Sequence, residues 1–302
     1  MKRILLSALV ALFALAVSAQ PLYVGTYNVR YQNDDDASEG NGWPRRCQTV
    51  CGLVNFESPD VFGAQEVLHG PLQDLLAGLD GYGYVGVGRD DGKEAGEYSA
   101  IFYKKDRLRL IRDGHFWLSQ TPEKPGLGWD AVCTRICTWA EFEQTATKTR
   151  FFFFTLHTDH VGVVARRESM HLVLSRIKTI AGGAPVVVTG DFNVDQHDES
   201  YTILAHSGLL KDCYESARLR LAENGTFNDF HTDAFTDSRI DHIFVSPETT
   251  VDRYAILTES YWTPLTTPQP DPNGLTRGVR RNPSDHYPVF AHIVLGGGKT
   301  VK

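Results

Sequence analysis

Oxygen- and nitrogen-bearing side chains recur at the ends of apolar runs along most of this sequence. Asn28 closes "LYVGTYN", Glu66 closes "GAQE", His157 closes "FFFFTLH", and Asp191 and Asn193 close "VVVTGDFN". Asp241 lies early in "RIDHIF", and Asp285 and His286 precede the final apolar run. Side chains two apart on a strand share a face, so Asp191 and Asn193 can address one point. Singly, each residue has an ordinary reading. Asn28 is a turn residue, Glu66 a solvated strand end, Asp191 to Asn193 an Asx-turn, Asp285 a cap, His286 a surface histidine. Together they are an inventory of hard oxygen donors with two imidazoles able to act as acid or base. Such donors suit Mg2+, Mn2+ or Ca2+ rather than zinc.

The elements that must position these groups follow from the hydrophobic pattern. "LYVGTYNV", "DVFGAQEV", "YSAIFYK", "AVCTRICTWAEF", "RFFFFTLH", "VVVTGDFN", "RIDHIFVS", "RYAILTES" and "PVFAHIVL" read as strands, with alternating or continuous apolar character. Residues 43–57 read as a helix. Residues 161–181 carry Met170, Val173, Leu174, Ile177 and Ile180, the spacing of an amphipathic helix. Residues 263–284 hold five prolines and read as a long loop. Strands and helices alternate with no evident linker or repeat, which gives an α/β or α+β chain with one domain over residues 20–302.

The first residues, "MKRILLSALVALFALAVSAQ", place Lys2 and Arg3 before an apolar core and small residues at Val17-Ser18-Ala19. This is the pattern of a secretory signal peptide, residues 1–19, cut after Ala19, and the expected location is periplasmic or extracellular. The core is short for a membrane anchor and no basic stop-transfer follows. Net charge is −7, and −9 once Lys2 and Arg3 are gone. An acidic chain does not attract nucleic acid by its overall field, although a local basic cleft or a metal ion can still hold a phosphate. Apolar residues make up 42% of the chain, ample for a core. Of the five cysteines, Cys47 and Cys51 fall on the apolar face of the first helix with Val50 and Val54. Cys133 and Cys137 sit four apart in an expected strand, roughly 13 Å at strand rise, too far to bridge each other. Neither pair has zinc-finger spacing. Free buried thiols are the preferred reading for these four and Cys213, with a long-range disulfide as the alternative.

In order, "GTYNVR", "FGAQEV", "GEYSAIFYK", "TLHTDH", "TGDFN", "SRIDHIFVS" and "PSDHYPV" resemble the motif set of the endonuclease/exonuclease/phosphatase (DNase I-like) superfamily. The resemblance spans essentially the whole mature chain and looks closest to a secreted bacterial branch similar to Ccr4-type members. It implies a four-layered α+β sandwich: two mixed sheets face to face, helices outside, and a site where strand ends meet at one edge. It implies a metal-dependent hydrolase of phosphate esters that attacks directly with water, and Mg2+ as the ion, with Mn2+ or Ca2+ as alternatives. Glu66 becomes the main metal ligand, with Asn28 and Asp285 beside it. Asp191 becomes the base for water, held with Asn193. His286 becomes the donor to phosphate, its tautomer fixed by Asp241. Glu97, in "GEYSAIFYK", becomes the hydrogen-bonded partner of His157. The chain departs from many relatives at Thr155-Leu156-His157, where they carry Asn-Thr-His, so one amide near the phosphate is missing.

Other residues stay open on this reading. Arg239 contacts either phosphate or a structural acid. Asp159 and His160 form a loop or helix start near substrate. Trp262, Tyr261 and Trp129 flank loops and pack in the core in preference to stacking on a base or sugar. The expected partner is a compact phosphate ester of unknown identity, with no protein partner implied. A secreted nuclease on RNA or DNA is the nearest alternative. A non-catalytic binding protein on the same fold is the alternative of another class, and it predicts losses among the acid and histidine positions.

Overall fold

The run Phe151–Phe154 is apolar at every position because both faces of its strand are covered. In the computed structural model, which describes residues 20–265 and 273–296, Phe151 and Phe153 point into one hydrophobic layer. Phe152 and Phe154 point into another. A strand buried on both sides has no reason to alternate.

Two mixed sheets stack face to face. One runs β10 (Leu219–Leu221), β12 (Thr250–Ile256), β15 (Val289–Val294), β1 (Leu22–Asn28), β2 (Val61–Val67), β4 (Tyr98–Lys104) and β3 (Tyr82–Val85). The other runs β5 (Leu108–Trp117), β6 (Ile136–Gln144), β7 (Arg150–His157), β8 (Val186–Asp191), β11 (Asp241–Val245) and β9 (Lys211–Asp212). Val24, Val61 and Ile101 of the first meet Phe142, Phe153 and Val187 of the second in the central layer. The approach is close: a Cβ on Gly63 would collide with the hydroxyls of Thr155 and Thr189. Thr155, the departure noted above, is thus buried between the sheets, where its hydroxyl accepts from Gln65 Nε2 at 2.9 Å.

Helices form the outer layers. α2 (Trp43–Glu57) and α3 (His69–Gly78) bury Val50, Val54, Leu72 and Leu75 on the first sheet. α4 (Val163–Ile180) and α5 (Glu199–Ala205) cover the second, with Met170, Val173 and Ile177 on Phe152, Phe154 and Val188. α4 has no side-chain cap of its own. Asp130, from a distant loop, accepts the orphan N–H groups of Val164 (3.1 Å) and Ala165 (2.6 Å) instead. Two short helices, α1 (Asp34–Ser38) and α6 (Cys213–Ser216), complete the set. This is the expected four-layered α+β sandwich.

Three expectations change. The strand expected from Ala131 begins only at Ile136, because Asp159 draws the N–H groups of Val132 and Cys133 away from any ladder. The proline-rich loop contains a two-stranded hairpin, β13 (Tyr261–Pro264) with β14 (Gly278–Arg281). Trp262 on it is 67% exposed rather than a core residue. All five cysteines are free, with Cys51, Cys137 and Cys213 buried and Cys47 and Cys133 half-buried. The expected signal peptide lies outside the described residues. No helix among the described residues is long and apolar enough to cross a membrane.

Candidate active site

Register brings three of the polar residues side by side. Parallel pairing of β7 and β8 sets His157 against Asp191, and antiparallel pairing of β8 and β11 sets Asp191 against Asp241. Asn28 ends β1 in the facing sheet, and Glu66 lies one step past its ladder partner Gln65. The β2–β4 ladder slips between Ala64 and Val67, and Glu66 sits in that irregularity at φ +61°. A left-handed glutamate is strained and persists only where its surroundings fix it. Here Tyr31 N donates to its Oε2 (3.0 Å) and Asn28 Nδ2 to its Oε1 (2.9 Å). Asn193 is also left-handed, φ +49°, a conformation asparagine tolerates.

Asn28 links the sheets, because its Nδ2 also donates to Asp191 Oδ2 at 2.9 Å. Asp191 Oδ1 accepts from Asn193 N at 2.9 Å. His286 Nδ1 meets Asp241 Oδ2 at 2.8 Å, while its Nε2 lies 3.7 Å from Asp191 Oδ2. His286 and Asp285 are neighbours in sequence but diverge in space: Asp285 Oδ2 faces Arg30 Nη1 at 3.4 Å. On the other flank His157 Nε2 stands 2.9 Å from Asn193 Nδ2. The amide is the donor there, so that ring nitrogen accepts and the proton belongs on Nδ1.

Burial alone would drive His286 to shed its proton, but Asp241 and Asp191 outweigh it and hold the imidazole well above its usual range. Burial pushes Asp191 up to about 7, with Asp241 adding to the rise and His286 opposing it. Burial likewise lifts Asp285 to about 6. His157 goes the other way, held well below its usual range by burial and by Arg135 and Arg89. The two histidines are therefore pushed in opposite directions, His286 toward the imidazolium and His157 toward the neutral ring.

The Glu97–His157 hydrogen bond expected from the sequence is absent. Arg89 takes both oxygens of Glu97, at 2.6 and 2.9 Å, and Glu97 Oε2 is left 3.9 Å from His157 Nδ1, which has no partner. Arg239 also moves out of the candidate set. It lies buried against Asp212 at 3.1 Å and over the Tyr214 ring, away from the cleft. Asp159 serves the backbone: its carboxylate accepts from Val132, Cys133, Val161 and Gly162 and so holds the entry to α4. His160 does face the cleft, and Trp262 does not.

The cleft encloses about 580 Å³ and is lined by Glu66, Glu97, His157, Asp191, Asn193, Asp285 and His286. Sequence reasoning did not single out Arg30, Arg89, Arg135, Phe227 and Asp229, which line it too. Arg30 carried a signal, since it stands two residues past Asn28. The remainder come from loops with no motif. Arg46, fully buried, donates to the carbonyls of Val29, Arg30, Asn41 and Pro283 and so ties the segments bearing Asn28 and Asp285. Glu66, His157 and Asp191 bring ligand atoms within 4.8 Å of one another, as do Asp191, Asp241 and His286.

Residues 25–286 match the family described as Endonuclease/Exonuclease/phosphatase. The chain belongs to that family. Enzymes of the endonuclease/exonuclease/phosphatase family depend on divalent metals and hydrolyse phosphoester bonds. A family member of known structure from Bacteroides thetaiotaomicron is 45% identical, with a TM-score of 0.85 over 91% of this chain and 98% of that one. A mannosyl-6-phosphatase of Bacteroides thetaiotaomicron VPI-5482 is also 45% identical, with a TM-score of 0.85 over 90% and 99%. Protein L388 of Acanthamoeba polyphaga mimivirus is 27% identical over 161 residues, 51% of this chain. The match spans 60% of that protein's own length.

Proposed function

We propose that this protein is an exported, Mg2+-dependent hydrolase of compact phosphate esters, with a sugar phosphate as the leading substrate class. One observation carries the reading: the His286 imidazole and the carboxylates of Asp191, Glu66 and Asp285 line one cleft. The likeness to a mannosyl-6-phosphatase along nearly the whole chain supports a sugar phosphate. The net charge of −7 and the four carboxylates on the cleft wall beyond Asp191 weigh against a long polyanionic nucleic acid.

The donor set fits a hard divalent cation. Glu66 and Asp285 offer carboxylate oxygen, and Asp285 already faces the cation of Arg30. Asn28, also expected beside the metal, instead turns its Nδ2 to Glu66 and Asp191 and its Oδ1 to Arg30 N, and so positions Glu66. These two carboxylates would hold the ion; Mn2+ and Ca2+ are the alternatives. When bound, it supplies charge neutralisation at the phosphate oxygens and helps fix water. The remaining work belongs to the chain. Asp191, gripped by Asn28 and by Asn193 N, receives the proton from the attacking water as its oxygen closes on phosphorus. His286 presents Nε2–H to a phosphate oxygen, while Asp241 keeps the proton on Nδ1. Asn193 and neutral His157 hold the opposite side. The P–O bond to the leaving oxygen breaks, that oxygen takes a proton from solvent water, and inorganic phosphate and the alcohol are released with no covalent enzyme intermediate.

Turnover of a panel of sugar phosphates, inositol phosphates, nucleotides, RNA and DNA, each with Mg2+, Mn2+ or Ca2+, tests this. The expected result is phosphate release from a sugar phosphate, abolished by EDTA and by Asp191→Ala. Full activity in EDTA would remove the metal from the mechanism. Inactivity on every ester would point to a binding protein on this fold.

A further inference from the structure

We propose that Arg135 selects phosphomonoesters over phosphodiesters by meeting the second negative charge of the substrate phosphate. The inference rests on the phosphoester-hydrolase reading and names the charge state of its substrate. Three arginines line the cleft. Two are committed to carboxylates. Arg89 holds both oxygens of Glu97. Arg30 spans Asp36 at 2.8 Å and Asp285 at 3.4 Å.

Arg135 is different. Its side chain is 5% exposed, and its Nη2 meets His160 Nδ1 at 3.0 Å. Its Nε lies 3.6 Å from Asp159 Oδ2, beyond hydrogen-bond reach, and neither Nε nor Nη1 has a hydrogen-bond partner. Asp159 is a diluted counter-charge, since four backbone N–H groups already share its carboxylate. A buried guanidinium so thinly partnered is costly unless something completes it. In a phosphohydrolase cleft, an anionic oxygen is the natural complement to its planar fork.

The sheet places this charge beside the reacting centre. The β6–β7 register sets Cys137 against Leu156, so Arg135 falls level with Thr158, one residue past His157. His157 and His286 flank Asp191, at 3.4 and 3.7 Å. His157 Nε2 already accepts from Asn193 Nδ2, so the ring offers phosphate no donor there, and the Arg135 guanidinium on the same flank can. A diester presents one negative charge, shared by two free oxygens. A monoester dianion presents a second.

The test compares p-nitrophenyl phosphate with bis(p-nitrophenyl) phosphate, both with Mg2+, in the wild type, Arg135→Gln and Arg135→Lys. Arg135→Gln is expected to lower kcat/KM on the monoester by about 100-fold, the effect of removing one oriented donor. The diester should fall far less, and Arg135→Lys should recover part of the loss. An equal fall on both esters, the signature of a merely structural role, overturns the proposal and leaves the hydrolase reading intact. No fall on either does the same. Wild-type inactivity on both esters overturns the hydrolase reading instead. A second arm needs no turnover: inorganic phosphate should raise the Tm of the wild type and not of Arg135→Gln. An equal rise in both overturns the role of Arg135. Should Arg135→Gln fail to fold, as judged by circular dichroism, Arg135→Lys carries both arms, and an unchanged ester ratio with an unchanged phosphate response overturns the proposal.

Discussion

Replacing Asp241 with asparagine removes the partner that keeps His286 charged. The pair is 2.8 Å apart, with side chains 5% and 1% exposed. At that distance two unit charges in a medium of effective dielectric about 20 attract by about 6 kcal/mol. Desolvation cancels part of this, and breaking a buried pair costs about 3–5 kcal/mol net. The figure is an upper bound here, because the imidazole can shed its proton. The sign follows from linkage. The folded state holds His286 above its unfolded value, so its stabilisation is complete below the unfolded pKa and fades as pH rises through the folded one. Asp241→Asn abolishes that contribution, and the stability difference from the wild type should be largest at acidic to neutral pH. Catalysis should fall by about 100- to 10,000-fold, the usual worth of a positioned acid. The loss should be steeper at pH 8 than at pH 6, where the weakened imidazole regains its proton. Initial rates on a phosphate ester across this range, beside urea melts, give both readouts. A variant with the wild-type pH profile and wild-type stability would refute the assignment of His286 as an imidazolium held by Asp241.

Four further outcomes are expected. Glu66→Gln should raise the Mg2+ concentration for half-maximal activity, and calorimetry should show weaker Mg2+ binding; identical titrations would remove Glu66 from the metal set. Arg89→Met should free Glu97 to close on His157 and raise the pKa of that ring in NMR titration; an unmoved resonance would show that Arg89 does not govern the pair. Phe153→Ala should cost about 3–5 kcal/mol in denaturant unfolding with an unchanged slope, because the ring is fully buried between the sheets; a negligible loss would contradict that packing. His242 is buried, its Nε2 stands 3.0 Å from Val194 O, and burial lowers its pKa. Its unfolded form binds the proton first, so stability should drop as pH falls below about 6.5. His242→Gln should flatten that drop, and an equal slope would show that the folded protein protonates the ring without penalty.

The strands that carry the site were the most legible part of the sequence. Phe151–Phe154 and Val186–Val188 are apolar without interruption because each strand is buried on both faces. Their polar endings stand out for the same reason. α2 was legible to its ends, Trp43 and Glu57. β5 was not seen, because this edge strand alternates buried and exposed positions irregularly between Leu108 and Trp117. Both histidine–carboxylate partnerships were foreseen; that of His286 with Asp241 forms, and that of His157 with Glu97 does not. The second failed through Arg89, which reaches Glu97 only because Gly88 bridges Tyr98 and folds the segment between them into a hairpin. A competitor brought in by loop geometry leaves no periodic trace. The same holds for Arg46, whose four carbonyl contacts gather segments far apart in the chain.

β1 and β15, the first and last strands among the described residues, lie in one sheet and pair antiparallel from Leu22 opposite Ile293 to Thr26 opposite Val289. Asn28 leaves the end of β1, and His286 enters β15 just beyond that register. The site therefore closes only when the earliest strand captures the latest. Until β1 and β15 pair, Asn28 and His286 stay apart, and a folding intermediate lacking this one ladder should be silent however complete the rest of its sandwich. Recovery of activity on refolding is thus a clock for a single long-range docking event. That event is of the slow, high-contact-order kind, because the loop it closes is nearly the whole chain.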